Sequence, residues 1–516
     1  MEAPTNTAAV DQSLRKIARG GVLIFAGTVV SMAFQLLTRV LIVRVTTRSD
    51  YGLFSLGLVL FSMATAISQG GFSLSVPRYL GYYRGNQDEP RIRGVIRSSF
   101  EIQLLLGIAL SLVFFLGSQY IEDFFNMEGL STALRIFAGG IPFFNFIHIT
   151  VNTFRGFDRV KPSLYFNDIM LTGLRLLFLF VVAVVAPSLE YVLIAYLSAF
   201  VCTALTAAGY YKKYNPVQKG ESVRMRKELF LFSLPLFGTV FVGQLMKWTD
   251  VLMLGRFTSA DMVGLYNGAI PICLLIPIFL SSAGFIFVPV LSALYSQGHL
   301  SEMKKTYAVI TKWIFSATLP LFLVIFVFPQ PVLTFLFRAE YQEASTALRI
   351  LSTGYMFHVL MGPVGQNLVI FGRPRLIMIN NCVGLVINIM MNWILIPLYG
   401  INGAATATAL MYVGLNLMAL FQVYRISGMH PFSRNYVKPL LSSLGLVVVF
   451  SAAFEYVFTV PYWTLPFVFA LFVGSYFLII VVTRSFDRED IMLLKTLEKR
   501  VGIDLSWLRK ILGKLS

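Results

Sequence analysis

One stretch near the N-terminus, residues 37–54, reads LTRVLIVRVTTRSDYGLF. It places Arg39 and Arg44 in an apolar run that begins near residue 17 and is long enough to cross a bilayer, which takes about 20 residues. An arginine near the centre of a bilayer costs at least about 2.5–3.5 kcal/mol on insertion scales. The stretch therefore predicts a membrane-spanning helix with at least one arginine that serves a specific purpose.

The composition extends this membrane character to the whole chain. Of the 516 residues, 57% are hydrophobic and 13% are charged, and the mean hydropathy is +0.74. Soluble proteins carry about 25% charged residues. Apolar stretches of suitable length lie at 17–43, 50–74, 98–117, 131–154, 162–186, 188–211, 229–255, 262–294, 306–328, 343–370, 376–397, 400–424, 437–458 and 461–483. We therefore predict an all-α polytopic membrane protein with about 14 transmembrane helices.

The charged residues predict how the chain is threaded through the membrane. Lysines and arginines concentrate in alternate loops, such as RYLGYYRGNQDEPRIRGVIR and YKKYNPVQKGESVRMRK, and in the C-terminal tail. Because cytoplasmic loops carry this excess, we predict a multi-pass protein of the cell membrane with both termini in the cytoplasm. The net charge of +17 then reflects this topology and contact with anionic membrane lipids, not nucleic-acid binding.

Matching segments indicate an internal duplication. The segment GLF at 52–54 pairs with GLY at 264–266, and STALRI occurs at 131–136 and again at 345–350. The first pair of segments is 212 residues apart. A repeat of this length holds six predicted helices, which is an even number, so both copies enter the membrane in the same direction. We predict two parallel six-helix lobes followed by two C-terminal helices. The predicted domains are a cytoplasmic N-terminal segment at 1–16, an N-lobe at 17–211, a basic cytoplasmic linker at 212–228, a C-lobe at 229–425, two helices within 434–484 and a cytoplasmic amphipathic tail at 485–516.

Polar side chains form stripes on three helices of the predicted N-lobe. The stripes comprise Ser31, Gln35, Thr38 and Arg39 on the first span, Asn145, His148, Asn152 and Arg155 on the fourth, and Asp168, Thr172 and Arg175 on the fifth. Because lipid leaves polar groups unsatisfied, the stripes are expected to face a cavity or one another. Guanidinium groups match phosphate oxygens, so we predict that Arg39 and Arg175 bind an anionic substrate. The alternatives are an Asp168–Arg175 pair that only joins helices, and a packing role for His148.

The C-lobe carries a different set of polar residues. Arg44 has a counterpart at Arg256, whereas Arg39 aligns with Val251, next to Asp250. A carboxylate together with amide and hydroxyl oxygens is the ligand set of a hard monovalent cation. The candidates for such a site are Asp250, Asn388, Asn392 and Thr408. The alternative is an ion pair between Lys247 and Asp250, with ordinary packing of the two asparagines.

Three segments carry a family resemblance: LTRVLIVRVTTRSDYGLFSL, GGFSLSVPRYLGYYRGN and DVLMLGRFTSADMVGLYNGAI. They resemble the MOP exporter superfamily, and within it the polysaccharide-transporter (Wzx-like) branch, whose members flip lipid-linked oligosaccharides and are related to the lipid II flippases. The resemblance covers nearly the whole chain and implies alternating access between two lobes. It places Arg39 at a cavity position and a sodium site on Asp250, Asn388, Asn392 and Thr408. At this site Asn392 stands where the lipid II flippase has an aspartate, which reduces the charge.

These observations together predict a flippase, not an enzyme. We expect it to move an oligosaccharide linked to a polyprenyl or dolichyl (di)phosphate from the cytoplasmic to the outer leaflet, for assembly of cell-surface polysaccharide or glycoprotein. No cofactor is expected, and the sequence lacks a P-loop, so Na⁺, H⁺ or the membrane potential would supply the energy. The expected partners are the lipid-linked substrate, membrane lipids and glycosyltransferases of the same pathway.

Three other functions are alternatives to the predicted flippase. A MATE-like, cation-coupled drug exporter is disfavoured by the basic interior of the N-lobe. A membrane-embedded polysaccharide polymerase or ligase usually needs a large exterior loop with catalytic residues, whereas the loops near 118–130 and 329–342 are short. The third is a scaffold for glycosyltransferases that transports nothing.

Overall fold

The computed structural model describes residue 27, residues 30–217, 220–432, 441, 443, 445–450 and 465–482. Helices and short turns make up these residues, and no strand occurs among them. The predicted N-terminal segment at 1–16, the tail at 485–516 and most of the span at 437–458 lie outside the described residues.

The helices are numbered here in chain order. They are α1 (30–45), α2 (Arg48–Gln69), α3 (Phe72–Gly85), α4 (Glu89–Leu116), α5 (Ser118–Phe125), α6 (Leu130–Gly156), α7 (Lys161–Val185), α8 (Leu189–Tyr214), α9 (Arg226–Phe257), α10 (Ala260–Cys273), α11 (Ile278–Ser296), α12 (Leu300–Val327), α13 (Pro329–Leu336), α14 (Ser345–Leu360), α15 (Val364–Ile370), α16 (Pro374–Ser427) and α17 (Leu465–Val482). Helix α7 contains a π-helical segment at Leu164–Met170, and a 3₁₀ turn at Ala339–Ala344 precedes α14.

The chain is a multi-pass helical membrane protein, as predicted. Seven of the described helices are long and apolar enough to cross a membrane, or nine if each of two bent pairs forms one span. The predicted count of 14 stays a prediction. Two predicted spans are broken: 262–294 is divided into α10 and α11, and 343–370 into α14 and α15. Proline, which lacks a backbone N–H and disrupts helices, occurs at or beside both breaks, as Pro277 and Pro363.

Two further predicted spans, 376–397 and 400–424, lie on α16. Helix α16 is interrupted at Gly400, whose φ of 55° and ψ of −129° are not helical. Glycine adopts such positive φ values readily because it has no Cβ. The predicted boundary between the two spans therefore coincides with a real break in the backbone.

The residues group into two contact units that do not follow the predicted lobe boundaries. Of the described residues, those within Ala26–Gly268 and Asn388–Ala404 form the first unit, and those within Ala269–Ile387 and after Ala404 form the second. The lobe boundaries stay a prediction.

Helix α6 lies at the centre of the first unit, where it packs against α2, α3, α4 and α8. Its glycines allow close approach: a Cβ on Gly140 would lie 3.0 Å from the ring of Phe200, and one on Gly156 would lie 2.6 Å from Leu80. Small residues at helix interfaces are the usual means of packing in membranes, where the hydrophobic effect does not drive helices together.

The second unit has a comparable centre in α12, which packs against α11 and α14. The Tyr307 hydroxyl on α12 donates a hydrogen bond to the backbone carbonyl of Met361 at 2.7 Å. A Cβ on Gly354 would lie 2.6 Å from the backbone of Ala409. Small residues thus allow helices to pack closely inside each unit, and in the second unit a buried tyrosine adds a hydrogen bond.

The turn between α1 and α2 is defined by a capping box in the segment TTRSD. The Thr47 hydroxyl accepts a hydrogen bond from the Asp50 backbone N–H at 3.1 Å, and the Asp50 carboxylate accepts from the Thr47 backbone N–H at 3.2 Å. This arrangement satisfies two backbone donors at the start of α2. Arg48, one residue further, forms an ion pair with Asp261 of α10 at 3.1 Å.

The repeated glycines Gly52 and Gly264 face each other inside the first unit. A Cβ on Gly52 would lie 1.7 Å from the carbonyl oxygen of Ala260, and one on Gly264 would lie 2.1 Å from the carbonyl oxygen of Arg48. In the predicted repeat, Arg48 aligns with Ala260 just as Gly52 aligns with Gly264. Reciprocal contacts between equivalent positions are what a two-fold axis between two copies produces.

Candidate functional site

Arg39 lies near the end of α1, half-buried, on the side that faces α2. The Arg39 guanidinium interacts electrostatically with the Tyr51 hydroxyl of α2, and this hydroxyl donates a hydrogen bond to the carbonyl oxygen of Asn267 at 3.2 Å. Gln35, one turn earlier on α1, donates to the Ser31 hydroxyl at 3.1 Å. Two members of the predicted stripe thus bond to each other along α1, and the arginine interacts with a tyrosine; that the stripe faces a substrate cavity stays a prediction.

Arg175 lies on α7, where its guanidinium packs between two rings of α8. The guanidinium carbon is 4.8 Å from the ring centroid of Tyr196 and 4.8 Å from that of Phe200. Contacts of this kind stabilise an arginine by about 0.5–2 kcal/mol. The buried Nε of Arg175 has no hydrogen-bond partner among the described residues. Arg175 is thus held in place by rings and keeps hydrogen-bonding capacity to spare.

Tyr196 brings the two predicted arginines into one cluster. It interacts electrostatically with both Arg39 and Arg175, and also with Tyr51. Its ring packs edge-on against Phe54, with 4.9 Å between the centroids. Among the described residues, no carboxylate forms an ion pair with Arg39 or Arg175. We call Arg39, Tyr51, Arg175 and Tyr196 the arginine–tyrosine cluster.

Asp168 does not neutralise Arg175, so this alternative is not found in the described part of the chain. Asp168 lies in the π-helical segment of α7, and its backbone carbonyl accepts a hydrogen bond from the Thr172 hydroxyl. A Cβ on Gly27 would lie 3.9 Å from the Asp168 side chain, so α7 and the start of the first span meet here. The predicted residue is therefore near α1, but it is not in the arginine–tyrosine cluster.

His148 and Asn152 lie along α6. The His148 ring packs against Phe144, with 4.5 Å between the centroids, and Phe144 in turn packs against Phe200 at 5.5 Å. Asn152 is buried, and its amide oxygen accepts a hydrogen bond from Arg155 at 3.4 Å. Because Phe200 also contacts Arg175, aromatic rings connect His148 to the arginine–tyrosine cluster.

Asn145 is placed elsewhere, in the core between α2, α4 and α6. It is fully buried, and its amide nitrogen donates to the Ser68 hydroxyl at 2.7 Å and to the Gln103 carbonyl at 3.2 Å. The structure thus joins Asn145 to two residues that the stripe did not include, and not to Arg39 or Arg175.

Three of the predicted cation-site residues, Asp250, Asn388 and Asn392, form a buried cluster within the first unit. The Asp250 carboxylate accepts hydrogen bonds from the Tyr266 hydroxyl at 2.6 Å, from Asn388 at 3.2 Å and from Asn392 at 2.8 Å. Asn392 also donates to the amide oxygen of Asn388 at 3.2 Å. All four side chains are buried. Thr408 is buried in the second unit.

Lys247 does not form the ion pair considered as an alternative. It is exposed, and among the described residues no salt bridge joins it to Asp250. The amide oxygen of Asn392 is buried and has no hydrogen-bond partner in the described part of the chain. The cluster therefore contains one carboxylate, neutral donors and a spare oxygen.

Sequence reasoning missed the aromatic members of both clusters. Tyr196 and Phe200 are four residues apart in an apolar helix, a spacing that puts them on one face but also fits ordinary packing. Tyr266 could have been found from the repeat, because it aligns with Phe54 and differs from it by a hydroxyl group. No local signal marks Ser68 or Gln103 as partners of Asn145.

The fold and the similarity to known families define the class of protein. The structure is similar to that of the lipid II flippase MurJ in its inward closed conformation, with a TM-score of 0.73 and 16% identity over 89% of this chain and 97% of that one. The two proteins thus share one multi-pass helical fold. The model of the polysaccharide biosynthesis protein family matches residues 17–295, and the MatE model matches 235–394. The chain belongs to the polysaccharide biosynthesis protein family, which confirms the resemblance predicted from the sequence.

Two relatives extend this similarity. An uncharacterized membrane protein of Methanocaldococcus jannaschii is 25% identical over 411 residues, which cover 75% of this chain and 79% of the relative. The probable low-salt glycan biosynthesis flippase Agl15 of Haloferax volcanii is 28% identical over 211 residues, which cover 40% of this chain and 44% of that protein. The chain thus aligns with less than half the length of Agl15.

Proposed function

We propose that the protein moves a lipid-linked oligosaccharide from the cytoplasmic to the outer leaflet of the cell membrane by alternating access, with both termini in the cytoplasm. The family, the name of Agl15 and the fold shared with a lipid II flippase support transport of a saccharide carried on a lipid. The carrier would be a polyprenyl or dolichyl phosphate or diphosphate.

One observation carries this proposal: Tyr196 interacts electrostatically with two arginines that have no carboxylate partner among the described residues. Two half-buried positive charges that share one tyrosine repel each other and are costly to desolvate, so a transported anion that neutralises them would be bound strongly. A phosphate group meets this need because it accepts bidentate hydrogen bonds from guanidinium groups and further bonds from tyrosine hydroxyls. Arg39 and Arg175 would hold the phosphate, and Tyr51 and Tyr196 would orient them.

The aromatic path toward His148 supports a substrate larger than phosphate. Phe200, Phe144 and His148 lie in sequence from the arginine–tyrosine cluster along α6 and α8. Aromatic rings pack against the C–H faces of sugars while neighbouring polar groups bind the hydroxyls. We assign the sugar to this path, with His148 and Asn152 as hydrogen-bonding residues. Asn145, buried in the core, is left out of the proposed site.

For the coupling ion we propose Na⁺ or H⁺ at the Asp250 cluster. The one carboxylate matches a single positive charge, and the free amide oxygen of Asn392 offers a further ligand. The two amide nitrogens that now donate to Asp250 would have to turn away for Asn388 and Asn392 to supply oxygen ligands. Thr408 and glycosyltransferase partners remain part of the proposal on sequence grounds alone.

A basic cluster argues against the rival drug exporter, because a cationic drug would be repelled by Arg39 and Arg175. A polymerase or ligase would need a catalytic group near the bound phosphate. In the arginine–tyrosine cluster the side chains are guanidinium and phenol groups, and none of them is a carboxylate or imidazole that could act as the general base of such a reaction.

Translocation of a fluorescent lipid-diphosphate-linked oligosaccharide in reconstituted vesicles tests the proposal, with dithionite quenching to report the leaflet. Arg39→Gln should reduce the rate at least tenfold, because a charge-assisted hydrogen bond contributes about 1.5–3 kcal/mol. The matched control is Arg44→Gln, five residues further on the same helix and exposed, which should stay within twofold of the wild type. Undiminished transport by a well-folded Arg39→Gln protein would remove Arg39 from the mechanism.

A further inference from the structure

A pocket of about 490 Å³ opens in the first unit where α4 begins and α8 ends. Three aromatic rings line it: Phe100 lies 5.7 Å from Phe146 and 5.5 Å from Tyr211, measured between centroids. Arg93, Arg97 and Glu101 also line it. The pocket therefore combines an apolar aromatic surface with two arginines and one carboxylate.

The linker that follows α8 forms one wall of this pocket. The Arg93 guanidinium donates to the carbonyl oxygen of Glu221 at 3.2 Å, and a Cβ on Gly220 would lie 2.7 Å from the same guanidinium. The Val223 backbone N–H donates to the Pro90 carbonyl at 3.1 Å. These contacts hold the linker against the start of α4, so the pocket has a defined shape.

The charged groups at and beside the pocket include more basic than acidic side chains. Arg93 forms an ion pair with Glu89, and Arg97 and Arg226 share the carboxylate of Glu101, at 3.0 and 2.6 Å. Lys212 and Lys213, at the end of α8, form no ion pair with the described residues. An anion in the pocket would therefore be attracted by basic groups that these carboxylates neutralise only in part.

The surface beside the pocket suits a hydrocarbon chain. Helix α4 continues from Arg97 and Phe100 into a series of exposed apolar side chains that includes Leu105, Ile108 and Leu112. In a membrane these side chains contact lipid. A molecule with its anionic group at Arg93 and Arg97 could thus lay its chain along α4.

We propose that this pocket binds the headgroup of an anionic phospholipid from the leaflet that the basic loops face. The phosphodiester contacts Arg93 and Arg97, and the first part of an acyl chain packs on Phe100 and Tyr211. The site lies apart from the arginine–tyrosine cluster and does not depend on what the protein transports. Because the linker between α8 and α9 forms one wall of the pocket, its contacts would depend on whether the membrane contains anionic lipid.

Native mass spectrometry of the full chain, titrated with phosphatidylglycerol and separately with phosphatidylcholine, tests this site. The wild type should bind one phosphatidylglycerol more tightly than phosphatidylcholine. The double variant Arg93→Gln/Arg97→Gln should bind phosphatidylglycerol about 30-fold more weakly, since each basic residue near an anionic lipid contributes about fivefold. The matched control Arg373→Gln/Arg375→Gln removes the same charge from exposed positions in the second unit and should change the affinity less than twofold.

A second variant tests the pocket independently, in case the double arginine variant does not fold. Ser222→Trp adds a large ring at the pocket wall from an irregular segment and keeps every charge, so it should also abolish the tight binding. Equal losses in the two arginine double variants would mean that general surface charge, and not this pocket, binds the lipid. Retained binding in Ser222→Trp would overturn the proposal, as would displacement of the lipid by millimolar inorganic phosphate, which would make the pocket a site for soluble phosphate.

Discussion

The contact between Gly52 and Gly264 predicts a large effect from adding a single methyl group. In Gly52→Ala, the new Cβ would lie 1.7 Å from the Ala260 carbonyl oxygen and 3.0 Å from the Gly264 backbone nitrogen. Both neighbours are backbone atoms, which cannot rotate away as a side chain can. The helices α2 and α10 must therefore separate by more than an ångström, and the Arg48–Asp261 ion pair beside them would be disturbed.

The expected cost in stability lies at the upper end of the usual penalty for an overpacked core. Extra methylene groups in well-packed cores cost about 1–3 kcal/mol, and a forced backbone shift belongs at the upper end of that range. Gly264→Ala should behave alike, because its Cβ would lie 2.1 Å from the Arg48 carbonyl oxygen. The two costs should not add in the double variant, since the first substitution already opens the shared contact.

Thermal unfolding in detergent, followed by tryptophan fluorescence, measures this effect. The matched control is Gly81→Ala, in the helix α3, where nothing lies within 4 Å of the added Cβ. Alanine has the higher helix propensity by about 1 kcal/mol, so this control should be as stable as the wild type or more so. If Gly52→Ala were as stable as Gly81→Ala, α2 and α10 would not meet as described, and the argument for the two-fold contact would fail.

Two further substitutions test the structure outside this contact. Glu122 accepts a hydrogen bond from the Ser131 backbone N–H at 2.7 Å. Burial raises the pKa of its carboxyl, but the hydrogen bonds from Ser131, Gln119 and Gly129 together outweigh burial and hold this pKa below its usual value. Its stabilisation should therefore be complete above about pH 4.5 and decline as the pH falls, and Glu122→Gln should flatten that decline in melting curves, unlike the exposed Asp123→Asn. Asn145→Ala should lower stability by about 1–3 kcal/mol yet leave transport per folded molecule unchanged; a selective loss of transport would return Asn145 to the substrate site.

In the structure, residues that share one polar stripe in the sequence have different neighbours. The periodicity of a single helix could not distinguish them. Periodicity predicted that Arg39 and Arg175 lie on polar faces, because polar groups in a membrane protein turn away from lipid, and in the structure Tyr196 interacts electrostatically with both. The same rule grouped Asn145 with His148, although one lies among α2 and α4 and the other against Phe144. Two residues three apart on a helix diverge by about 60°, which is enough for them to face different neighbours.

The sequence alone determined the membrane class, the family and the repeat. Hydropathy, loop charge and repeated segments are read from the amino-acid sequence, and none of them depends on how the helices pack. Arg39 stood out for the same reason: a charge in an apolar run is costly wherever the helix is placed.

The tertiary structure decided which side chains meet. Asn145 and Ser68 are 77 residues apart, and Asp250 and Asn388 are 138 apart, so only the packed helices bring them within 3.2 Å. The glycine shared by GLF and GLY was visible in the sequence, but the reason for it was not. A close approach of two helix backbones shows in each sequence segment only as a missing side chain. Local chemistry determines what a helix can bury, and the contact partner is set by the packing of helices distant in the chain.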